Sequence, residues 1–220
     1  SDVCSSDLTD GDSALTDCLN YGAVSGNGAS GGLGGVAGKI GGSLTRCANY
    51  GPVTGANWYM GGVVGCANLL NASRLTDCYN VGDVENTHSY PKAATGGVVG
   101  YGNYYSLENG FSYAAVIGSA GTVGGVVGLD SRRSTNRLEN TACLDTGCKA
   151  AVGGVPEPTG AKVLTAAEFA SPAYLKELNV HGCFALTNGL YPEFGSGSAA
   201  PDFTDVAEAD WFYQAVLWAV

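Results

Sequence analysis

The sequence predicts an all-β fold: a parallel β-solenoid of about four to five coils, each about thirty residues long. Three observations predict it. One phrase recurs at a near-constant interval, opening at Leu15, Leu44, Leu75, Leu107 and Leu138, with successive starts 29, 31, 32 and 31 residues apart. A period between 20 and 50 residues marks stacked repeats, units that bury their apolar faces only against their neighbours. Glycine makes up 35 of the 220 residues, against a usual share of about 7%. Within each copy, small and β-branched residues alternate at period two, with no helix-length apolar period.

The second copy is the clearest. It reads Leu44-Thr45-Arg46-Cys47-Ala48-Asn49-Tyr50-Gly51-Pro52-Val53-Thr54-Gly55 and closes with Gly61-Gly62-Val63-Val64-Gly65. The first copy closes at residues 34–38, the third at 96–100 and a worn fourth at 124–128; Leu138-Glu139-Asn140 begins a fifth that does not close. In a strand, alternate residues face opposite ways. The third copy carries Asp77, Tyr79, Val81, Asp83 and Glu85 on one parity, so that parity is expected to face outward. Three rows are then expected inside: Cys18, Cys47 and Cys78; Asn20, Asn49 and Asn80; Val24, Val53 and Val84. An inward Asn without a partner costs roughly 1–3 kcal/mol, so the Asn side chains are expected to bond to one another as an amide ladder. The glycine pairs are expected at tight corners, where a Cβ would clash or φ must be positive. Outside, Asp17, Arg46, Asp77 and Asn109 share one position, and the first three alternate in sign, as a cross-strand charge ladder would.

The Cys-x-Asn-x-Gly-x-Val and Gly-Gly-Val-Val-Gly phrases resemble the glycine-rich GLUG repeat of bacterial surface proteins. Three copies match well; the fourth has Gly110 and Ser112 where Cys and Asn stand elsewhere, which breaks its inner ladder. The resemblance spans roughly residues 15–194. It implies a secreted or surface-displayed β-solenoid and brings no catalytic residues.

Five segments follow along the chain. Residues 1–8 read as a translated sequencing-adapter tail and are excluded from fold reasoning, Cys4 with them; the chain is expected to be a fragment at both ends. Residues 9–150 are the solenoid. Its connections vary in length, and the longest, Glu85-Asn86-Thr87-His88-Ser89-Tyr90-Pro91-Lys92, is a contact loop or a tolerated insertion. Residues 151–194 form a closing segment. There Thr165-Ala166-Ala167-Glu168 is a capping box and Ser171-Pro172 starts a second short helix. This segment is similar to the one that often follows GLUG repeats, and it is expected to cover the open end of the last coil. Residues 195–202 are a Gly/Ser-rich linker. Residues 203–220, with Phe203-Thr204-Asp205-Val206 and then Asp210-Trp211 and an apolar helix, resemble the opening of an S-layer homology domain. That resemblance implies anchoring to cell-wall polysaccharide, with Asp205 and Trp211 as signature residues. The second half of the module is absent, so these residues alone are not expected to bind wall polymer.

Composition narrows the function. A net charge of −10 and a pI near 4.4 make nucleic acid or an anionic membrane a poor partner. No apolar run approaches the roughly 20 residues of a membrane span. The row of Cys18, Cys47 and Cys78 is expected as reduced, buried thiols; Cys143 and Cys148 are close enough to pair, which the sequence leaves open. Neither they nor the histidines, His88 and His181, give zinc-site spacing, and no ligand spacing specifies calcium. Gly26-Asn27-Gly28-Ala29-Ser30-Gly31 fits a dinucleotide fingerprint but lacks its strand, helix and acidic residue.

What remains is an outward aromatic stripe. Leu19, Ala48, Tyr79 and Phe111 share one position; Tyr21, Tyr50, Val81 and Tyr113 share another. Tyr21, Tyr50, Tyr79, Phe111 and Tyr113 are the candidate ligand face, able to stack on a host or environmental glycan or to pack on a protein. The bland alternative is rings stacking on each other for stability. The expected function is a non-catalytic, extracellular, cell-wall-presented structural or adhesin-like solenoid without cofactors. The alternative is a polysaccharide-degrading β-helix enzyme, which would show a polar cleft with two or three carboxylates within about 10 Å.

Overall fold

The chain is a parallel β-solenoid. Residues 13–131 and 135–195 are described in this computed structural model. The adapter-like residues 1–8, nearly all of the linker and residues 203–220, with Asp205 and Trp211, lie outside the described residues. Each coil visits three faces. The first holds Ala14–Thr16, Ser43–Thr45, Val64–Thr76, Val99–Glu108 and Val127–Asp130. The second holds Leu19–Asn20, Ala48–Asn49, Tyr79–Asn80, Phe111–Ser112, Thr141–Leu144 and Ala161–Leu164. The third is built around Val53–Gly61, which pairs with Val24–Gly34, Val84–Asn86 and Ala94–Gly96.

Register follows the repeat. Leu15, Leu44, Leu75, Leu107 and Leu138 are rung partners on the first face. Val24, Val53, Val84 and Val116 are partners on the third. A row of identical side chains on rungs about 4.8 Å apart buries apolar area with no side chain mismatched to its neighbour. Leu44, Leu75 and Leu107 are fully buried in this way.

The amide ladder is present. Asn20 Nδ2 donates to Asn49 Oδ1 at 2.7 Å, Asn49 Nδ2 to Asn80 Oδ1 at 2.7 Å, and Asn80 Nδ2 to Ser112 Oγ at 3.4 Å. Each Asn also donates to the carbonyl two residues on, at Gly22, Gly51 and Gly82. Backbone of the same and the next coil hems in the first glycine of each closing pair, and the ladder's row hems in the second. A Cβ on Gly35 or Gly62 would lie 2.3 or 2.2 Å from the Asn49 or Asn80 side chain. None of the glycine pairs that close the repeats, at 34–35, 61–62, 96–97 and 124–125, has positive φ. They are therefore places of close approach rather than positive-φ corners. The left-handed corners fall elsewhere: Asp17, Arg46, Asp77, Asn109 and Asn140 all have φ of 51–58°, which Asn and Asp tolerate and Arg rarely adopts.

Two expectations are corrected at these corners and at the closing segment. Arg46 bonds Asp17 with two 2.6 Å contacts, but Asp77 does not continue the charge ladder. It is buried and bonds instead to Asn109 Nδ2 at 3.1 Å and to His181 Nδ1 at 2.9 Å. Only the first part of the closing segment covers the end of the stack; its helices and hairpin do not. Ala151 and Val152, with Cys148, Val155 and Ala161 against them, close the core there, and Ala161–Leu164 adds a rung to the second face beyond residue 150. Helices α1 (Ala166–Phe169) and α2 (Pro172–Leu178) and the antiparallel pair Phe184–Ala185 with Glu193–Phe194 pack sideways on that face's outer side. The reason is the outward row Ala48, Tyr79, Phe111 and Ala142, all fully buried: it is apolar, and Phe169, Tyr174, Leu178 and Phe184 bury it. The caps are as expected: Thr165 and Glu168 complete a capping box, and the Ser171 hydroxyl accepts from the Tyr174 amide.

Candidate functional site

The second face's outer side is one continuous aromatic ladder with two environments. The rings of Tyr21 and Tyr50 stack at 4.6 Å and 13°, Tyr50 meets Tyr79 edge-on at 5.8 Å, and Tyr79 stacks on Phe111 at 4.9 Å and 4°. The hydroxyls of Tyr50 and Tyr79 share a short hydrogen bond. Burial pushes the Tyr50 phenol up to about 12, and burial with the Tyr50 hydrogen bond pushes Tyr79 higher still. Both stay neutral at physiological pH, so the ladder carries no charge of its own.

Of the five residues expected on an open ligand face, Tyr79 and Phe111 are corrected: both are fully buried beneath the closing segment. Tyr113 is half-buried between Phe169 and Tyr191, at 5.2 and 4.9 Å. The open part is the first coil, reaching to half-buried Tyr50 on the second, where Ala48 is already fully buried. Tyr21 is 67% exposed, Leu19 is 44% exposed, and Tyr50 shows a partial edge. Planar rings at such a site can stack on the apolar face of a sugar ring or on a partner's side chain.

A second aromatic group fastens a loop. Trp58 stacks on Tyr90 at 4.9 Å and Tyr59 on Tyr101 at 4.4 Å. Tyr90 lies in the long connection between Glu85 and Thr95. The Thr87 amide and hydroxyl both donate to the Gly55 carbonyl, at 2.8 and 3.0 Å, and the Tyr90 amide donates to His88 Nδ1 at 2.9 Å. The loop is thus tied to the coil beneath it, and His88 serves its turn.

Among the described residues the fold brings a nucleophile, an imidazole and a carboxylate together in a cluster at Cys183, His181 and Asp77. It was not foreseen, because 104 residues separate His181 from Asp77; the signal available was an acidic residue in a corner row beside His and Cys two positions apart in the closing segment. The geometry is that of a fastening. His181 and Cys183 both address the Asp77 carboxylate. Burial first, and then the Asp77 charge and hydrogen bond, push the Cys183 thiol up to about 12. A nucleophilic thiol needs its pKa lowered by a neighbouring base or positive charge; this one is held protonated.

Two acidic residues are rung neighbours on the first face. Glu108 and Glu139 are rung partners, with Ser106 paired to Arg74 on one side and Arg137 on the other. Arg137 donates to Glu139 at 2.6 and 3.0 Å. A hollow of about 290 Å³ lies over Arg74, Ser106, Leu107, Glu108, Arg137 and Glu139. Among the described residues no three His, Cys, Asp or Glu side chains are grouped to hold a metal ion, and no helix is long and apolar enough to cross a membrane.

No family model matches the chain, and no curated protein matches it. A solved structure does: a 1.30 Å crystal structure from Bacteroides ovatus, described as a "putative immunoglobulin A1 protease", with a TM-score of 0.57 and 19% identity. The match covers 82% of this chain and 57% of that one, so the chain spans little more than half of that protein's length. At this identity the likeness is one of fold.

Proposed function

We propose that the chain is a non-catalytic β-solenoid displayed at a bacterial cell surface, structural or adhesin-like, which binds glycan or protein through the open end of its outer aromatic ladder. The observation that carries this reading is the exposure of Leu19, Tyr21 and the Tyr50 edge at the end of a ladder that is elsewhere buried. The GLUG-like repeat and the S-layer-homology-like residues 203–220, with Asp205 and Trp211, support wall presentation through a complete anchoring module. The raised Cys183 thiol speaks against nucleophilic chemistry at the Cys183, His181 and Asp77 cluster.

The test is binding of the whole chain to a glycan array and to purified cell walls, alongside Tyr21→Ala and Tyr50→Ala. Glycan binding lost in both variants supports an adhesin. Undiminished binding in both removes the aromatic end from the reading. The second reading, a polysaccharide-degrading enzyme, has the Glu108–Glu139 pair in its favour. Bond cleavage in acidic or neutral polysaccharides that is abolished by Glu108→Gln and Glu139→Gln would establish it in place of the first.

A further inference from the structure

The first face carries two outward rows on either side of its inward leucines. One reads Ala14, Ser43, Arg74, Ser106 and Arg137 from rung to rung, the other Thr16, Thr45, Thr76, Glu108 and Glu139. The inward row is Leu at every rung, so the interior repeats while the outside does not. On the first two coils both rows are small and uncharged; from the third coil on they bring in Arg74, Glu108, Arg137 and Glu139. Ser106 stands on the rung between Arg74 and Arg137, about 4.8 Å from each along the stack. A short side chain between two long ones leaves a notch. That notch is the hollow of about 290 Å³ lined by these five residues and Leu107. Arg137 is already neutralised by Glu139, at 2.6 and 3.0 Å. Among the described residues, the Arg74 guanidinium, the Ser106 hydroxyl and the Glu108 carboxylate have no partner in the protein.

We propose that this hollow is a binding site for one carboxylate-bearing sugar unit, a hexuronate, of an acidic glycan. Arg74 and the Ser106 hydroxyl donate to the sugar carboxylate. Glu108 accepts from the ring hydroxyls, and Glu139 holds Arg137 as the wall opposite Arg74. The uncommitted charges select this ligand, because they are one cation and one anion. Arg74 and Glu108 are diagonal neighbours, with backbones about 7–8 Å apart. A monoanion whose hydroxyl donors lie several bonds from its charge satisfies both at once, through charge-assisted hydrogen bonds. A free phosphate or sulfate brings no donors for Glu108. An α-amino acid holds both charges on one carbon, too close together to span the diagonal. The volume lies at the small end of ordinary ligand sites, roughly 300–1,000 Å³, which suits a single sugar unit. The site requires neither the aromatic end of the second face nor cleavage of the glycan.

Calorimetry of the full chain at low salt measures oligogalacturonate and oligoglucuronate, each beside its methyl ester, which keeps the hydroxyls and removes the charge. At least one acid should bind, about tenfold or more tighter than its ester, the difference that one hydrogen-bonded charge supplies. Arg74→Gln should bring the acid down to the affinity of the ester. Ser106→Leu, which fills the notch, should abolish binding. Lys149→Ser, which removes a positive charge elsewhere, should leave it unchanged. The comparison of acid with ester on the wild-type chain decides the matter even if a variant misfolds. No binding of either acid, equal binding of acid and ester, wild-type affinity in folded Arg74→Gln or Ser106→Leu, an equal loss in Lys149→Ser, or displacement of the acid by free glycine would each overturn the proposal. Neutral-glycan binding that depends on Tyr21 is a separate readout and stands or falls apart from these results.

Discussion

The outer side of the second face is the same row of the repeat read twice, with opposite results. On the third and fourth coils Tyr79 and Phe111 are fully buried under the helices and hairpin of the closing segment. On the first coil Leu19 occupies the equivalent position, with Tyr21 in the neighbouring outward row, and both face solvent. Rung position determines which neighbours a residue stacks on; it does not determine what lies over it. A solenoid therefore separates two roles that a globular core joins. Its inner rows hold the coils together, and its outer rows are available for whatever packs against them. Here the chain itself covers one half, with Phe169, Tyr174, Leu178 and Phe184, and leaves the other open.

The largest test of that contrast compares Phe111→Ala with Tyr21→Ala. Phe111 contacts Tyr79 at 4.9 Å and Phe169 at 5.6 Å from inside a closed cluster. Its truncation should cost about 3–5 kcal/mol. Tyr21→Ala removes one exposed stacking partner and should cost about 1 kcal/mol or less. Urea melts of both variants check this. Equal losses would mean that the covered and open halves are not energetically distinct.

The inner side of the same strands sharpens the contrast, because its amide ladder runs through covered and open coils alike. Asn49→Leu strands the Asn20 donor and the Asn80 acceptor and presses a branched side chain against Gly35, where even a Cβ lies 2.3 Å from the Asn side chain. The expected cost is about 2–3 kcal/mol. A melt unchanged by Asn49→Leu would contradict the inward ladder.

These interior rows were legible because two short-range periods, two and about thirty, jointly specify them: once Asn20, Asn49 and Asn80 are aligned, each has few partners but the others. The glycine pairs were legible only as tight positions. That tightness comes from neighbouring backbone and, at Gly35 and Gly62, from the Asn row across a narrow interior, which no local pattern states. The closing segment's two helix starts could be read from Thr165, Glu168, Ser171 and Pro172, since caps are local. Its placement could not. Period two marked Tyr79 and Phe111 as outward correctly, but an outward apolar row looks the same whether water or the chain's own helix covers it. The Asp77 and His181 contact was out of reach for a similar reason: both residues are ordinary in their own segments, and only the sideways docking of the closing segment brings them together.

That contact is the polar fastening of the covered half. His181→Ala removes one of the partners of the buried Asp77 carboxylate while Asn109 remains. The imidazole is 43% exposed, so the expected loss is only about 1 kcal/mol. It should appear as faster proteolysis after Lys176 and within residues 179–195 more than as a lower global melting temperature. Unchanged cleavage would mean that the aromatic packing alone holds the segment down.

The smallest effect belongs to the open half. Arg46 occupies a left-handed corner with φ of 51° and is held there by its two-pronged contact with Asp17. The Asp17 side chain is 58% exposed, so the pair is worth about 0.2–1 kcal/mol before screening. Arg46→Asp replaces attraction by like-charge repulsion along the ladder, but it also puts in the corner a residue that tolerates the left-handed region better. A net loss of a few tenths, near about 0.5 kcal/mol, follows. Salt should shrink the difference, because exposed charges are screened. So should acid. The Arg46 hydrogen bond holds Asp17 below its ordinary carboxylate value. Its contribution is therefore complete above the unfolded-state pKa, about 3.9, and disappears as pH falls through the lower folded value. The introduced carboxyl is neutralised over the same range, removing the repulsion. Melts at pH 7 and at successively lower pH should thus show the two proteins diverging at the first and drawing together below about pH 3.9; a difference that did not shrink at all would assign the loss to the corner's backbone rather than to its charges.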